Sequence, residues 1–361
     1  MSFFYPLILM ERRLPIIESG KELSLGCGGA PSMSPLEKRK SMRKRLPPWF
    51  RTSLPTGISQ ERYNNTKSKV VSHGLNTVCE EARCPNVHDC WGRGTATFMV
   101  AGDVCTRGCR FCAVGTVKSP PSLNDKEPRE LAEAVSKMGL SYAVITVVNR
   151  DDLPDGGAKH YRDCIDEIAD RSPGVGIELL CSDLDGNLEA LEELLDKIPL
   201  RVFAHNVECI PRLDGLVRDR RASFDQSLSI LSAAKEIRPD LMTKTSLMVG
   251  LGETDEEIEE ALILIRKAGV DIITLGQYLQ PSSRHLPVDR FPEPQIFADW
   301  DRKARELGFK AVASGPLVRS SYRAGLLWDE AMGGEPVVTR DSTGSAVSHL
   351  SSRNKIAEVE V

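Results

Sequence analysis

The chain lacks an excess of positive charge, a long hydrophobic run and the pattern of a secretory signal. Its 361 residues carry 47 Lys and Arg against 51 Asp and Glu, a formal net charge of −4. A nucleic-acid binder usually shows a basic face or stripe, so this balance argues against one. The longest early apolar stretch, Phe3 to Met10, is eight residues long with a proline inside it. It is too short to cross a bilayer, and no small-residue cleavage site follows it at signal-peptide spacing. No membrane association is expected. The implied setting is a reducing compartment, the cytoplasm or an organelle matrix, and the cytoplasm is the expected one.

Cysteine is plentiful and unevenly spread. Six of the ten cysteines lie within 34 residues, as two triplets: Cys79, Cys84 and Cys90, then Cys105, Cys109 and Cys112. In a reducing compartment such clustering reads as metal ligation rather than disulfide bonding. Cys164 and Cys181 lie within or at the ends of predicted elements and read, with Cys209, as small hydrophobic residues. Cys27 sits outside any element.

Residues 1–46 are expected to be a flexible tail, rich in Gly, Ser and Pro and carrying Lys38-Arg39-Lys40 and Arg43-Lys44-Arg45. Such composition buries too little apolar surface to fold alone. An extension over 47–94 carries the first triplet. From residue 95 onward, apolar β-like runs alternate with helical periodicity. Strands are expected at 95–101, 142–148, 176–180, 201–204, 243–249, 270–275 and 309–313. Helices are expected at 127–138, 160–169, 188–195, 223–237, 255–268 and 294–307. Such alternation implies parallel strands with right-handed crossovers. The expected fold is α/β, a partial (β/α)6 TIM-like barrel over 95–314, with the N-terminal extension and a C-terminal one, 315–361, closing the site. Barrels of this kind do chemistry at the carboxyl ends of their strands. The polar runs 149–157, 205–208, 250–254, 277–281 and 314–316 all fall there.

An iron–sulfur cube normally takes four thiolates. The spacing Cys105-x3-Cys109-x2-Cys112 lets one loop hold three irons and leave the fourth open. A zinc site would want four ligands, commonly as paired knuckles, and the spacing supplies three. This motif on the first strand-to-helix loop resembles the signature of radical S-adenosylmethionine enzymes. The stretch from Asn76 to Asn86 narrows the resemblance to the lipoyl synthase family. The runs Val202 to Glu208, Leu247 to Thr254, Gly276 to Pro281 and Gly315 to Tyr322 agree with it in order and spacing. The resemblance covers residues 47–328.

The resemblance implies two [4Fe-4S] clusters and S-adenosylmethionine as cofactors. An open iron on Cys105, Cys109 and Cys112 would bind the methionyl group, and cleavage would give a 5′-deoxyadenosyl radical. The second cluster, on Cys79, Cys84 and Cys90, would be consumed as sulfur source. Its fourth ligand in the family is a serine, assigned to Ser321 with Ser320 as close rival. Two sulfurs would enter at carbons 6 and 8 of an octanoyl chain on a lysine of a lipoyl carrier, an H-protein or a 2-oxoacid dehydrogenase lipoyl domain. An electron donor such as ferredoxin or flavodoxin and an iron–sulfur cluster carrier would be partners. Asn149, Asp152, His205, Asn206 and Gln277 are the expected cofactor contacts.

Two departures stand out. Asn149 occupies a position where the family usually has Asp, and Thr245-Ser246 replaces Ser-Gly. Gly250-x-Gly252 lacks the full phosphate-loop fingerprint. Two rival functions stand beside this one. A methylthiotransferase-like radical enzyme would usually need an RNA-binding module and a basic surface. A non-catalytic iron–sulfur carrier would need no barrel with polar rims.

Overall fold

The computed structural model describes residues 45–50, 57–72, 77, 79 and 84–337. The expected basic tail, Cys27 and residues 338–361 lie outside the described residues, as do Glu80 to Arg83 within the Asn76–Asn86 run.

Seven β-branched or apolar runs form one parallel sheet in which each strand pairs with the next in the chain. They are β1 (Thr95–Val100), β2 (Tyr142–Val147), β3 (Gly176–Leu180), β4 (Val202–Ala204), β5 (Met242–Val249), β6 (Ile272–Gln277) and β7 (Ala311–Gly315). Helices cover one face and further chain covers the other, so the strands are buried on both sides, as all-parallel sheets require. No pairing joins β1 to β7 among the described residues, so the barrel stays open on one flank. Six strand–helix units followed by β7 match the expected partial barrel.

The helices are α1 (Ile58–Ser72), α2 (Val87–Gly92), α3 (Glu127–Met138), α4 (Ala158–Arg171), α5 (Leu188–Leu195), α6 (Phe224–Ile237), α7 (Asp255–Lys267), α8 (Pro294–Glu306) and α9 (Ala324–Ala331). Their ends follow local chemistry. Asn187 and Ser223 accept N–H groups at the starts of α5 and α6. Thr254 and Glu257 form a reciprocal capping box on α7, satisfying donors that a helix start leaves orphaned. The apolar stripes of α3 to α8 bury Val135, Ile165, Leu191, Leu231, Ile265 and Phe297 against the outer face of the sheet.

The inner face holds a second core. Val202, Ala204, Met242, Ile272, Ala311 and Ala313 meet Val318, Tyr322 and Leu327 from beyond β7. Within it, Lys244 Nζ donates to Glu178 Oε1 at 2.7 Å, with both side chains 2% exposed. Helix α9 rests on this interior at the amino ends of the strands, where Gly325 approaches Tyr142 and the Arg201 guanidinium lies 4.4 Å from the Trp328 ring centre. The chain before the barrel is tied to the chain after it. Asn86 Nδ2 donates to Leu317 O at 2.6 Å, and Arg323 Nε donates to Asp89 Oδ2 at 2.8 Å.

Candidate active site

The loop after β1 carries the second cysteine triplet across the carboxyl end of the barrel. A two-residue parallel ladder, Val104–Cys105 with Gly115–Thr116, closes the loop on itself. Backbone N–H groups point at its sulfurs: Arg107 and Asn149 donate to Cys105 Sγ at 3.4 and 3.3 Å, and Asp219 donates to Cys109 Sγ at 3.3 Å. Burial pushes the Cys109 thiol up to about 12 and raises Cys112, and each is raised further by a neighbouring cysteine. Thiols held close, free of disulfides and reluctant to ionise alone are suited to a cationic metal centre, which deprotonates its thiol ligands.

A cavity of about 250 Å³ opens beside this loop. Cys105, Cys109, Cys112, Asn149, His205 and Asn206 line it, so six of the sequence-predicted residues converge on one space. Asp152 does not join them. Its carboxylate takes two N–H groups of Arg150, at 2.8 and 2.9 Å, and Arg150 also donates to the carbonyls of Ala101 and Pro121. Asp152 is thus part of the brace beneath the loop.

His205 lines the wall with both ring nitrogens engaged. Nδ1 is 2.9 Å from Cys181 O, which can only accept, so the proton sits on Nδ1 and Nε2 accepts from Ser227 Oγ at 2.9 Å. Burial lowers this ring to about 4, so it is neutral and serves as a fixed surface. Asn206 Nδ2 donates to Glu208 Oε1 at 3.1 Å, and burial raises the Glu208 carboxyl. Glu208 sits at φ +66°, a left-handed conformation that costs a residue with a Cβ roughly 1–2 kcal/mol. Its backbone bridges to β5 through Ser246 O and Met248 N.

A second cavity, about 510 Å³, lies against Cys79 and Cys84 of the N-terminal triplet, while Cys90 lines a separate hollow with Arg93 and Tyr142. Cys79, Cys84, Gln277, Arg319, Ser320 and Ser321 line the second cavity. Burial raises the Cys84 thiol and pushes Cys90 up to about 12, with Cys79 adding to both and Cys84 adding to Cys90. Two further groups here call for a ligand. Gln277 donates its Nε2 to three carbonyls while its buried Oε1 has no partner among the described residues. The Arg319 guanidinium, lowered from its ordinary value by burial, donates to the carbonyls of Gln277 and Val318, and no carboxylate pairs with it among the described residues. A cation so placed fits an anionic cluster on the neighbouring thiolates. Phe111, Asn206 and Glu208 line both cavities, which therefore share a wall.

Other polar runs are structural. In the loop after β2, Asp155 caps α4 by accepting from Gly157 N and Lys159 N, both at 2.9 Å. A Cβ on Gly157, at φ +92°, would lie 2.6 Å from Tyr161 Oη. In the loop after β5, the Glu253 carboxylate itself fills the turn, accepting from Gly250 N and Leu251 N at 2.6 and 2.9 Å. Thr245 Oγ1 donates to His205 O at 2.7 Å and accepts from Val207 N at 3.1 Å, a staple of β4 to β5 that needs only the hydroxyl which the family's serine also carries. Cys164, Cys181 and Cys209 are buried among apolar side chains as expected.

Sequence reasoning passed over Arg107, Asp183, Arg218 and the site role of Glu208. Arg107 is 4% exposed and binds Asp183 Oδ2 at 2.6 Å and Asp151 Oδ1 at 2.8 Å, fixing the cysteine loop to two strand ends. Its place inside the cysteine motif was the available signal.

Comparison with known proteins gives the chain its family. The model of the radical SAM superfamily matches residues 99–265, and that of the N-terminal domain of lipoyl synthase matches residues 32–84. The mitochondrial lipoyl synthases of Bos taurus and Xenopus laevis are each 50% identical over 295 residues, covering 80% of this chain and 78% of theirs. The Homo sapiens mitochondrial lipoyl synthase is 49% identical over the same shares. These names overturn the cytoplasmic location expected from the sequence: that expectation took the lack of a secretory signal as decisive, and relatives at half identity are mitochondrial. The methylthiotransferase and electron-carrier alternatives lose their footing at the same time. The chain belongs to the lipoyl synthase family of radical S-adenosylmethionine enzymes, which work with [4Fe-4S] clusters and S-adenosylmethionine.

Proposed function

We propose that the chain inserts two sulfur atoms, at carbons 6 and 8, into an octanoyl chain carried on a lysine of a lipoyl carrier domain, and that it does so in the mitochondrion. In this reading Cys105, Cys109 and Cys112 hold one cluster, and Cys79, Cys84, Cys90 and Ser321 hold the other. When bound, these groups supply a carbon-centred radical able to take hydrogen from an unactivated position, and sulfur to replace it.

The observation that carries the reading is the shared wall. Because Phe111, Asn206 and Glu208 line both cavities, a molecule seated against one triplet adjoins a chain seated against the other. Asn149 and Asn206 offer hydrogen bonds to a polar cofactor in the smaller cavity, and neutral His205 forms part of its wall. Leu247, Met248, Tyr278 and Val318 give the larger cavity an apolar lining suited to an alkyl chain. Arg319 balances the charge of the cluster beside it. A serine oxygen is a harder and weaker partner for iron than a thiolate, which suits a cluster that must be dismantled. A ferredoxin- or flavodoxin-type donor would reduce the centre, and a cluster carrier would rebuild the second site.

An anaerobic single-turnover assay tests this, using reconstituted protein, reductant, S-adenosylmethionine and an octanoyl-lysine peptide, with products read by mass spectrometry. Two sulfurs gained and two 5′-deoxyadenosines released per lipoyl group are expected. Cofactor cleavage with no sulfur on the peptide would sink the substrate assignment. Ser321→Ala should abolish sulfur insertion while keeping cofactor cleavage, and Ser320→Ala should leave both intact. The reverse result would move the ligand to Ser320.

A further inference from the structure

The segment Arg110 to Ala113 is the partition between the two cavities: Cys112 lines the smaller, Ala113 the larger and Phe111 both. The loop after β6 grips this partition from one side. His285 Nε2 lies 2.9 Å from Cys112 O, and Leu286 N donates to Arg110 O at 3.2 Å. A carbonyl only accepts, so Nε2 carries the proton, and in the neutral ring Nδ1 accepts from Ser282 Oγ at 2.8 Å. Gln280 Nε2 in turn donates to His285 O at 2.9 Å, and Tyr278 Oη donates to Leu286 O at 2.9 Å. Tyr278 and Gln280, with Leu279 and Pro281, line the larger cavity. A continuous set of hydrogen bonds therefore runs from the lining of the larger cavity, through His285, to the backbone of a cysteine in the smaller one.

We propose that His285 is a positioning residue that transmits occupancy of the larger cavity to the Cys105–Cys112 loop. An alkyl chain entering beside Tyr278 to Pro281 shifts the residues that hold His285, and His285 resets the carbonyl of Cys112. The effect is to tie cofactor cleavage to the presence of the acceptor chain. This rests on the reading that the Cys105, Cys109 and Cys112 triplet holds the open cluster.

The test compares the reconstituted parent with His285→Ala, His285→Gln and Ser282→Ala. Two measurements are made with and without an octanoyl-lysine peptide. One is the electron paramagnetic resonance spectrum of the reduced cluster, and the other is the ratio of cofactor cleaved to sulfur inserted. Hydrogen exchange of residues 109–113 in the cluster-free chain gives a readout independent of turnover. In the parent, the peptide should alter the spectrum. In His285→Ala that response should vanish, exchange should rise, and cleavage per sulfur should increase about fivefold, the equivalent of one hydrogen bond. His285→Gln, which can still donate, should restore most of the response, and Ser282→Ala should weaken it. A His285→Ala protein that responds to the peptide as the parent does would overturn the inference while leaving the site reading intact. If that variant takes up no iron, the Gln and Ser282→Ala proteins decide, and parental behaviour in Ser282→Ala overturns it. A parent chain that takes up no iron at the triplet refutes the site reading and this inference together.

Discussion

Replacing Gly276 by alanine should separate the two halves of the chemistry. Gly276 lies near the end of β6, buried, and faces the chain that follows β7 and covers the inner face of the barrel. A Cβ built there would lie 2.1 Å from Val318 O and 3.0 Å from Val318 C. The contact is with backbone, so no side-chain rotation relieves it, and the carbonyl must retreat by roughly 1 Å to reach ordinary contact. Overpacking of this kind costs about 1–3 kcal/mol. Val318 O also accepts from Arg319 Nη1 at 2.8 Å, and losing a bond from a charged donor adds about 1.5–3 kcal/mol. Each kcal/mol is worth about 2–4 °C in a large domain, so the melting temperature should fall by roughly 10 °C. The displaced residues carry Arg319, Ser320 and Ser321 with them. A 1 Å misplacement can cost about a hundredfold in rate, and sulfur insertion should drop by that order. Gly276 does not line the smaller cavity, so cofactor cleavage should persist. Scans at matched heating rate and the single-turnover assay measure both effects. A Gly276→Ala protein with parental melting and parental sulfur insertion would refute the close approach.

Glu178→Gln should leave the Lys244 ammonium buried without a carboxylate, costing about 3–5 kcal/mol; the double change Glu178→Leu with Lys244→Met should recover most of it in chemical denaturation, and equal losses in single and double variants would count against the pair. Stability should also follow pH through His205. Its ring falls from an ordinary 6.5 to about 4 by burial, so the unfolded chain binds the extra proton between those values. Stability present at neutral pH is therefore lost as pH drops through 6.5 toward 4, by up to roughly 3 kcal/mol. Urea midpoints across that range should show a shallower slope for His205→Gln, and identical slopes would sink the assignment.

Strands and crossover helices were legible because each carries its own periodicity. Glu127–Met138, Gly176–Leu180 and Leu188–Leu195 stand where their apolar spacing predicts. Boundaries slipped where polar residues belong to strands. The sixth strand, read as 270–275, runs from Ile272 to Gln277, because Gln277 continues the ladder while facing a cavity. Helix α1 escaped notice because its sequence is polar overall, with Tyr63 and Thr66 the buried side chains among those described. Helix α9 escaped because it packs on the barrel interior, a context that local sequence does not encode. At the site, the cysteines and the shared rim could be read from spacing. The Arg107 network could not, since its partners Asp151 and Asp183 lie far along the chain and meet it only when the strand ends converge. Asp152 shows the converse: its place in the polar run after the second strand, together with the family resemblance, suggested a cofactor contact, but Arg150 two residues away already holds it.

The inner core of the barrel is completed by residues that leave the ribosome after all seven strands. Val318, Tyr322 and Leu327 cover Val202, Met242 and Ile272, and the same stretch brings in Arg319 and Ser321. Until that stretch is synthesised, a nascent chain presents the Lys244–Glu178 pair and its apolar surroundings to water. Maturation thus has a built-in order: the site beside Cys79 and Cys84 gains its last wall only when the polypeptide is nearly finished. A translation product truncated before that stretch would leave the inner core uncovered and could not complete that site.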